Sequence, residues 1–267
     1  MSKSDRMNIS DFNFQVAGNE NGPWLVFLHG LLGSKANWRR ITPAFENDFR
    51  ILTFDQRGHG RSFRPKNEVY DLGDFVTDLE FLFENLKIEK ANILGHSLGG
   101  RVATLFTAKN PDKVTKLVLE DIGPESAKGV GDQMIQMLKE IPVPFANRAE
   151  MQNYFLGDFA NRKVGAFLAM NMGVNQNGLI DWNINLEGMV QVIHSGQTED
   201  LWKEFFKIEC PILVLRAEHS EYLPPRIFSE MQKNPHVRPV EIKNAGHWLH
   251  TDQPENFISE VRKFLTV

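Results

Sequence analysis

The sequence predicts an α/β protein: a mostly parallel, doubly wound sheet of about eight strands, interrupted by a helical insertion. Three observations carry this. Short apolar runs alternate with amphipathic helical stretches over the first half of the chain, the pattern of a sheet covered on both faces. The turn Gly95-His96-Ser97-Leu98-Gly99 stands between one such run and one such helix. The alternation stops between about residues 122 and 210, then resumes to the end.

In chain order, residues 11–17 alternate as an edge strand does. Residues 24–28 form a continuous apolar run, a strand buried on both faces. It ends in the loop His29-Gly30-Leu31-Leu32-Gly33-Ser34, and a helix is expected around Trp38 to Phe45. The next strand, 50–55, runs into the glycine turn Gly58-His59-Gly60. Residues 71–86 place Leu72, Phe75, Val76, Leu79, Leu82 and Phe83 on one helical face. Buried strands follow at 91–94 and 114–121, with a helix from Leu98 to Phe106 between them.

From 122 to 210 no strand is convincing. Helical segments are expected near 127–140, 148–156, 160–172, 185–195 and 198–207, in a stretch rich in Met and Phe. The reading divides the chain into a core of residues 1–123 and 196–267 and a helical cap of residues 124–195. Strands at 211–216 and 237–243 and helices at 225–233 and 254–265 complete the core.

Apolar residues at 42 % of 267 suffice for a substantial core, and a net charge of −4 leaves no electrostatic footprint for nucleic acid. No run of about eighteen apolar residues offers a membrane span. The first six residues lack the apolar stretch of a secretory signal, so a cytoplasmic protein is expected. The single cysteine, Cys210, reads as a buried structural thiol.

The chemistry starts at Ser97. A Gly-x-Ser-x-Gly turn between strand and helix is tight enough to strain the serine backbone and push its hydroxyl out at the carboxyl edge of the sheet. The first helical turn there presents free N–H groups to an oxyanion. A serine nucleophile needs a base and an acid that holds the base. Of eight histidines, His247 has the supporting pattern: Asn244-Ala245-Gly246-His247-Trp248 lies just past the last strand, and triads on this architecture run serine, acid, histidine. His96 is expected to pack under the turn. A metal reading of His247 with His250 finds no carboxylate and histidine set to complete it.

Four stretches together resemble the α/β-hydrolases over nearly all of the chain: residues 29–34, residues 55–62, Gly95-His96-Ser97-Leu98-Gly99-Gly100 and Ala245-Gly246-His247-Trp248. Asn37-Trp38, Asp121-Ile122-Gly123-Pro124 and His247-Trp248-Leu249-His250 are most similar to a branch of small carboxylesterases acting on short acyl esters. The resemblance implies acyl transfer to water from a small-molecule ester, with no metal or organic cofactor. One departure stands out. Where relatives commonly carry the acid, this chain reads Ala217-Glu218-His219-Ser220-Glu221-Tyr222, with Ser220 at the aligned position. A hydroxyl carries no charge to stabilise imidazolium, so a charged acid must come from elsewhere. The resemblance to the esterase branch implies Asp121, at the end of the strand after the elbow helix, with Ser220 an auxiliary acceptor and Glu221 or Glu218 the alternatives. The oxyanion hole is expected from the main-chain N–H groups of Leu31 and Leu98. Asp55 with Arg57 or Arg61 is read as structural, pinning the Gly58–Gly60 turn. Phe155, Phe167, Met170, Trp182, Tyr222 and Trp248 are the expected pocket lining. Thioester hydrolysis, carbon–carbon bond hydrolysis and perhydrolase chemistry are rivals on the same frame, and a low-turnover ligand receptor is a rival of another class.

Overall fold

In the computed structural model, which describes residues 7–65, 70–126, 131–159 and 162–266, the core is a seven-stranded sheet against an expectation of about eight. Its strands are β1 (Phe14–Gly18), β2 (Trp24–Leu28), β3 (Arg50–Phe54), β4 (Ala91–His96), β5 (Val114–Glu120), and, after the insertion, β8 (Ile212–Ala217) and β9 (Val237–Ile242). The order across the sheet is β1-β3-β2-β4-β5-β8-β9. Only β1 runs antiparallel to its neighbour; every other pairing is parallel.

Alternation along the strands makes two cores. Val26 and Leu28 of β2 face one way with Ile93, Leu117 and Leu119, under helices α1 (Leu72–Asn85) and α2 (Leu98–Lys109). Leu25 and Phe27 face the other way with Leu94, Val118, Leu213 and Leu215. That side packs Trp38, Phe45 and the closing helix. Helix α1 starts where Asp71 caps it, its carboxylate accepting the Asp74 amide at 2.9 Å.

The insertion leaves after β5. It carries α3 (Gly131–Glu140), α4 (Arg148–Asn153) running into a π-turn at Tyr154–Asp158, α5 (Arg162–Ala169), a hairpin of β6 (Met172–Val174) and β7 (Ile180–Trp182), and α6 (Leu186–Thr198). The short α7 (Trp202–Phe205) leads back to β8. Helices α8 (Pro225–Met231), α9 (Leu249–Asp252) and α10 (Pro254–Thr266) complete the chain. Among the described residues no helix is long and apolar enough to cross a membrane.

Three local expectations are corrected. The helix expected around Trp38 to Phe45 is two 3₁₀ turns, Lys35–Arg40 and Thr42–Ala44, because Pro43 has no amide to continue an α-helical ladder. The insertion is not strand-free: β6 and β7 are three residues each, too short to show alternation, and Gly178 supplies the left-handed backbone of their turn. The first strand begins at Phe14 because a 3₁₀ turn capped by Asn8 occupies Ile9–Asp11. The helices expected near 127–140 and 160–172 extend over residues 127–130 and 160–161, which lie outside the described residues.

Parallel register brings the loops together. Leu28 of β2 sits opposite Gly95 of β4, His96 opposite Glu120 of β5, and Glu120 opposite Leu215 of β8. The chain leaves β2 toward β3 on one side and returns through β4 on the other, so a crevice opens at their carboxyl ends.

Candidate active site

Ser97 joins β4 to α2 with φ +51° and ψ −118°, a backbone region that L-residues rarely occupy. The sequence permits it by leaving side chains out. A Cβ on Gly95 would collide with the Gly99 carbonyl, and one on Gly99 with the carbonyl of Leu28. The Ser97 amide donates to Glu120 O at 3.2 Å, and its carbonyl accepts the Gly100 and Arg101 amides at 2.9 and 3.1 Å. The turn is thus tied to β5 on one side and starts α2 on the other.

Ser97 borders a cavity of about 400 Å³ together with Leu31, Leu98, His96 and His247. His247 arrives on the loop after β9. Its Nδ1 lies 2.8 Å from Asp121 Oδ2, and its carbonyl is 3.0 Å from His96 Nε2. With Nδ1–H donated to the carboxylate, Nε2 is the nitrogen left for the cavity. The Tyr222 ring stacks on the imidazole at 3.9 Å between centroids and 23°. Burial, and then the neighbouring imidazoles of His247 and His250, hold the His96 pKa well below the usual histidine value. His96 is therefore neutral, and it serves the His247 carbonyl as an Nε2–H donor.

Asp121 is fully buried and also has positive φ, +51°. Its amide donates to Leu215 O at 2.8 Å, and Oδ1 accepts the Ala217 amide at 2.9 Å. Oδ2 takes both His247 Nδ1–H and the Ser220 hydroxyl. Ser220 departs from expectation here: it accepts the Tyr222 amide at 3.0 Å and donates to Asp121, and the imidazole bond goes to the aspartate. Glu221 lines the cavity beside Tyr222. Glu218 is engaged elsewhere, accepting the Asn244 amide at 2.9 Å and Lys243 Nζ at 3.0 Å. Those donors, the amide first, hold its carboxyl below the ordinary range.

Two buried imidazoles fix the loop that carries Leu31. His29 Nε2 accepts the Gln56 amide at 3.0 Å, and its Nδ1–H donates to Gly30 O at 2.8 Å. His59 Nε2 accepts the Leu32 amide at 3.1 Å, with Nδ1–H donated to Arg57 O at 2.9 Å. Main-chain donors dictate both tautomers. Burial pushes the pKa of both rings down, that of His59 to about 3 with His29 adding to the effect. Neither anchoring role was expected from sequence; the available signal was a histidine beside a glycine turn at each of two adjacent strand ends. Leu98 opens α2, where a first-turn N–H has no partner within its own helix.

Asp55 pins its turn through main-chain amides, those of Lys35 at 2.8 Å and Arg61 at 3.0 Å. The Arg57 guanidinium turns away to α1, with bonds of 2.7 and 2.6 Å to Asp78. Of the expected lining, Phe167, Tyr222 and Trp248 border the cavity. Three others lie elsewhere. Phe155 is buried among Phe145, Tyr154 and Phe159, Met170 is 69 % exposed past the end of α5, and Trp182 belongs to the β7 hairpin. Met134, Met137, Val192 and Ile193 from α3 and α6 take their place. Among the described residues no cluster of three or more His, Cys, Asp or Glu is placed to hold a metal ion.

The family model described as the alpha/beta hydrolase fold matches residues 23–254. The chain is 34 % identical over 254 residues to the sn-1-specific diacylglycerol lipase ABHD11 of Danio rerio, covering 90 % of this chain and 78 % of that protein. It is 27 % identical to esterase YbfF of Escherichia coli, covering 94 % and 96 % of the two chains. A solved marine microorganism esterase superposes with a TM-score of 0.82 at 32 % identity, over 95 % of this chain and 98 % of that one.

Proposed function

This chain belongs to the alpha/beta-hydrolase family and is a carboxylic ester hydrolase, and from that premise we propose a serine esterase for short- to medium-chain acyl esters. Ser97 is the nucleophile, His247 the general base and acid, and Asp121 the carboxylate that orients the imidazole. The observation that carries this reading is the 2.8 Å contact between Asp121 Oδ2 and His247 Nδ1, made where both His247 and Ser97 border one cavity.

The proposed cycle is acyl transfer to water. His247 takes the Ser97 proton as Oγ attacks the ester carbonyl. The Leu31 and Leu98 amides hold the resulting oxyanion, each donor contributing about 3 kcal/mol. His247 then protonates the leaving alcohol, and water reverses the steps to release the acid. Asp121 stabilises the imidazolium that forms between. Ser220 supports the acid by donating to the same oxygen, which restrains the carboxylate from rotating away from the ring.

Residues 124–195 act as a cap whose α3, α5 and α6 close the cavity from above. At about 400 Å³ the space lies near the lower end of the roughly 300–1,000 Å³ usual for ligand pockets, which favours short and medium acyl chains. The test is a p-nitrophenyl ester series from acetate to palmitate, with burst titration of the acyl-enzyme. A stoichiometric burst, lost in Ser97→Ala, and best kcat/KM at or below the octanoate is expected. Undiminished turnover by Ser97→Ala would end the reading.

A further inference from the structure

Beneath the His247 loop lies a second buried acid–imidazole pair that the reaction above does not use. Glu120, the last residue of β5, and His250, in the first turn of α9, are both buried. Glu120 Oε1 accepts the His250 main-chain amide at 3.0 Å and His250 Nδ1–H at 2.8 Å. Glu120 Oε2 and His250 Nε2 are sealed from solvent without a hydrogen-bond partner among the described residues.

The arrangement pairs two consecutive acids with two histidines three residues apart. Asp121 takes φ +51° directly after Glu120, so the carboxylates diverge, one to the His247 ring and one to His250. The ring of His96 stands between, 4.6 Å from His247 and 5.3 Å from His250 by centroids. The loop needs such anchors. Strand pairing of β9 with β8 ends at Ile242, and β8 separates β9 from β5. Main-chain bonding to the β8 loop continues only as far as Ala245, whose carbonyl accepts the His219 amide at 3.0 Å, and the Gly246 amide donates to Asp252 at 2.9 Å. From residue 247 on, the bonds back to the core are side-chain ones: Asp121 on the His247 ring, His96 on its carbonyl, and Glu120 on both the amide and the ring of residue 250.

A buried polar pair rarely adds stability over apolar side chains of similar volume, and this one leaves two polar atoms unsatisfied. Geometry is what it can supply. We propose that Glu120, acting through His250, is a positioning residue that holds the His247 loop at the height acyl transfer requires. The proposal rests on His247 being the base.

The decisive protein is the full chain carrying Glu120→Met with His250→Phe. It removes both polar partners together, and the ring site between Trp38 and Phe257 suits an aromatic side chain. We expect it to melt no more than a few degrees below wild type. Its kcat for p-nitrophenyl acetate falls about tenfold to a hundredfold with KM within about twofold, the cost of a displaced base. Glu120→Gln keeps a carbonyl oxygen for both His250 donors and is expected to retain kcat within about threefold. A folded double variant with wild-type kcat, or a Glu120→Gln loss as deep as that of the double variant, overturns the proposal. If the double variant does not fold, His250→Phe alone is read: it keeps the amide bond and loses the ring bond, and wild-type kcat there overturns it equally. Ser97→Ala is assayed in parallel. Full activity in that variant sinks the triad reading itself, whereas an inactive Ser97→Ala beside a fully active double variant sinks the positioning role alone.

Discussion

The cavity has two unlike walls. The core wall is set by main-chain geometry and by buried polar groups in single arrangements: Ser97 and Asp121 at positive φ, His29 and His59 in fixed tautomers, the Asp121–His247 bond. The insertion wall is mostly apolar, Met134, Met137, Val164, Phe167, Val192 and Ile193 on three helices, with Gln133 and Gln197 as its polar side chains. Directional bonds tolerate little displacement, whereas apolar contacts, and flexible Met above all, repack. One wall is built for a reaction and the other for a shape.

The difference can be broken from the core side first. Ser97→Ala is expected to lower kcat by about 10⁶-fold on every ester tested, with the protein still folded by circular dichroism. Asp121→Asn comes next, costing about 10⁴-fold in kcat through a wrong imidazole tautomer. Glu221→Gln is expected to stay within about twofold; equal losses in the two would move the acid to the β8 loop.

The third effect is on stability. His59 is buried and neutral, with a pKa of about 3 against the usual 6.5. Unfolding lets it bind a proton, so its contribution is present above about pH 6.5 and is lost as pH falls toward 3. At pH 5 that amounts to about 2 kcal/mol, or roughly 4–8 °C in Tm. Melting curves at pH 7 and pH 5 are expected to separate by that much more in wild type than in His59→Gln, whose side-chain oxygen takes the place of Nε2 as acceptor for the Leu32 amide.

The smallest effect belongs to the insertion wall and is selective. Val192→Phe is expected to fill the cavity, lowering kcat/KM for the octanoate about tenfold while leaving the acetate within twofold. A uniform loss across both esters would mean that this wall, too, positions the reacting groups.

The same contrast explains what sequence reveals. Gly95, Ser97 and Gly99 are legible because the tight turn admits so few residue types, and strands such as β2 are legible because both faces are buried. The uncharged Ser220 shows only that an acid must come from elsewhere, and it is the resemblance to the esterase branch that points to Asp121. The sequence does not show that Ser220 donates to Asp121, because a hydroxyl's direction depends on what folds beside it. Glu120 and His250 were invisible for a related reason: 130 residues separate them, and register alone brings them together. In the insertion, composition announces apolar helices without saying which face meets the cavity. Phe155 and Phe167 look alike in the chain, yet one is packed among rings and the other lines the space.

In the proposed triad the acid, Asp121, directly follows β5, the neighbour of the strand that leads into Ser97, and the segment after β8 is relieved of supplying a carboxylate. Glu221 and Tyr222 of that segment border the cavity, and Tyr222 lies flat on the imidazole. Substrate choice at that rim can then diversify, by exchange of Glu221 or the tyrosine, while the charge that steadies the base stays anchored two strands inward from the edge.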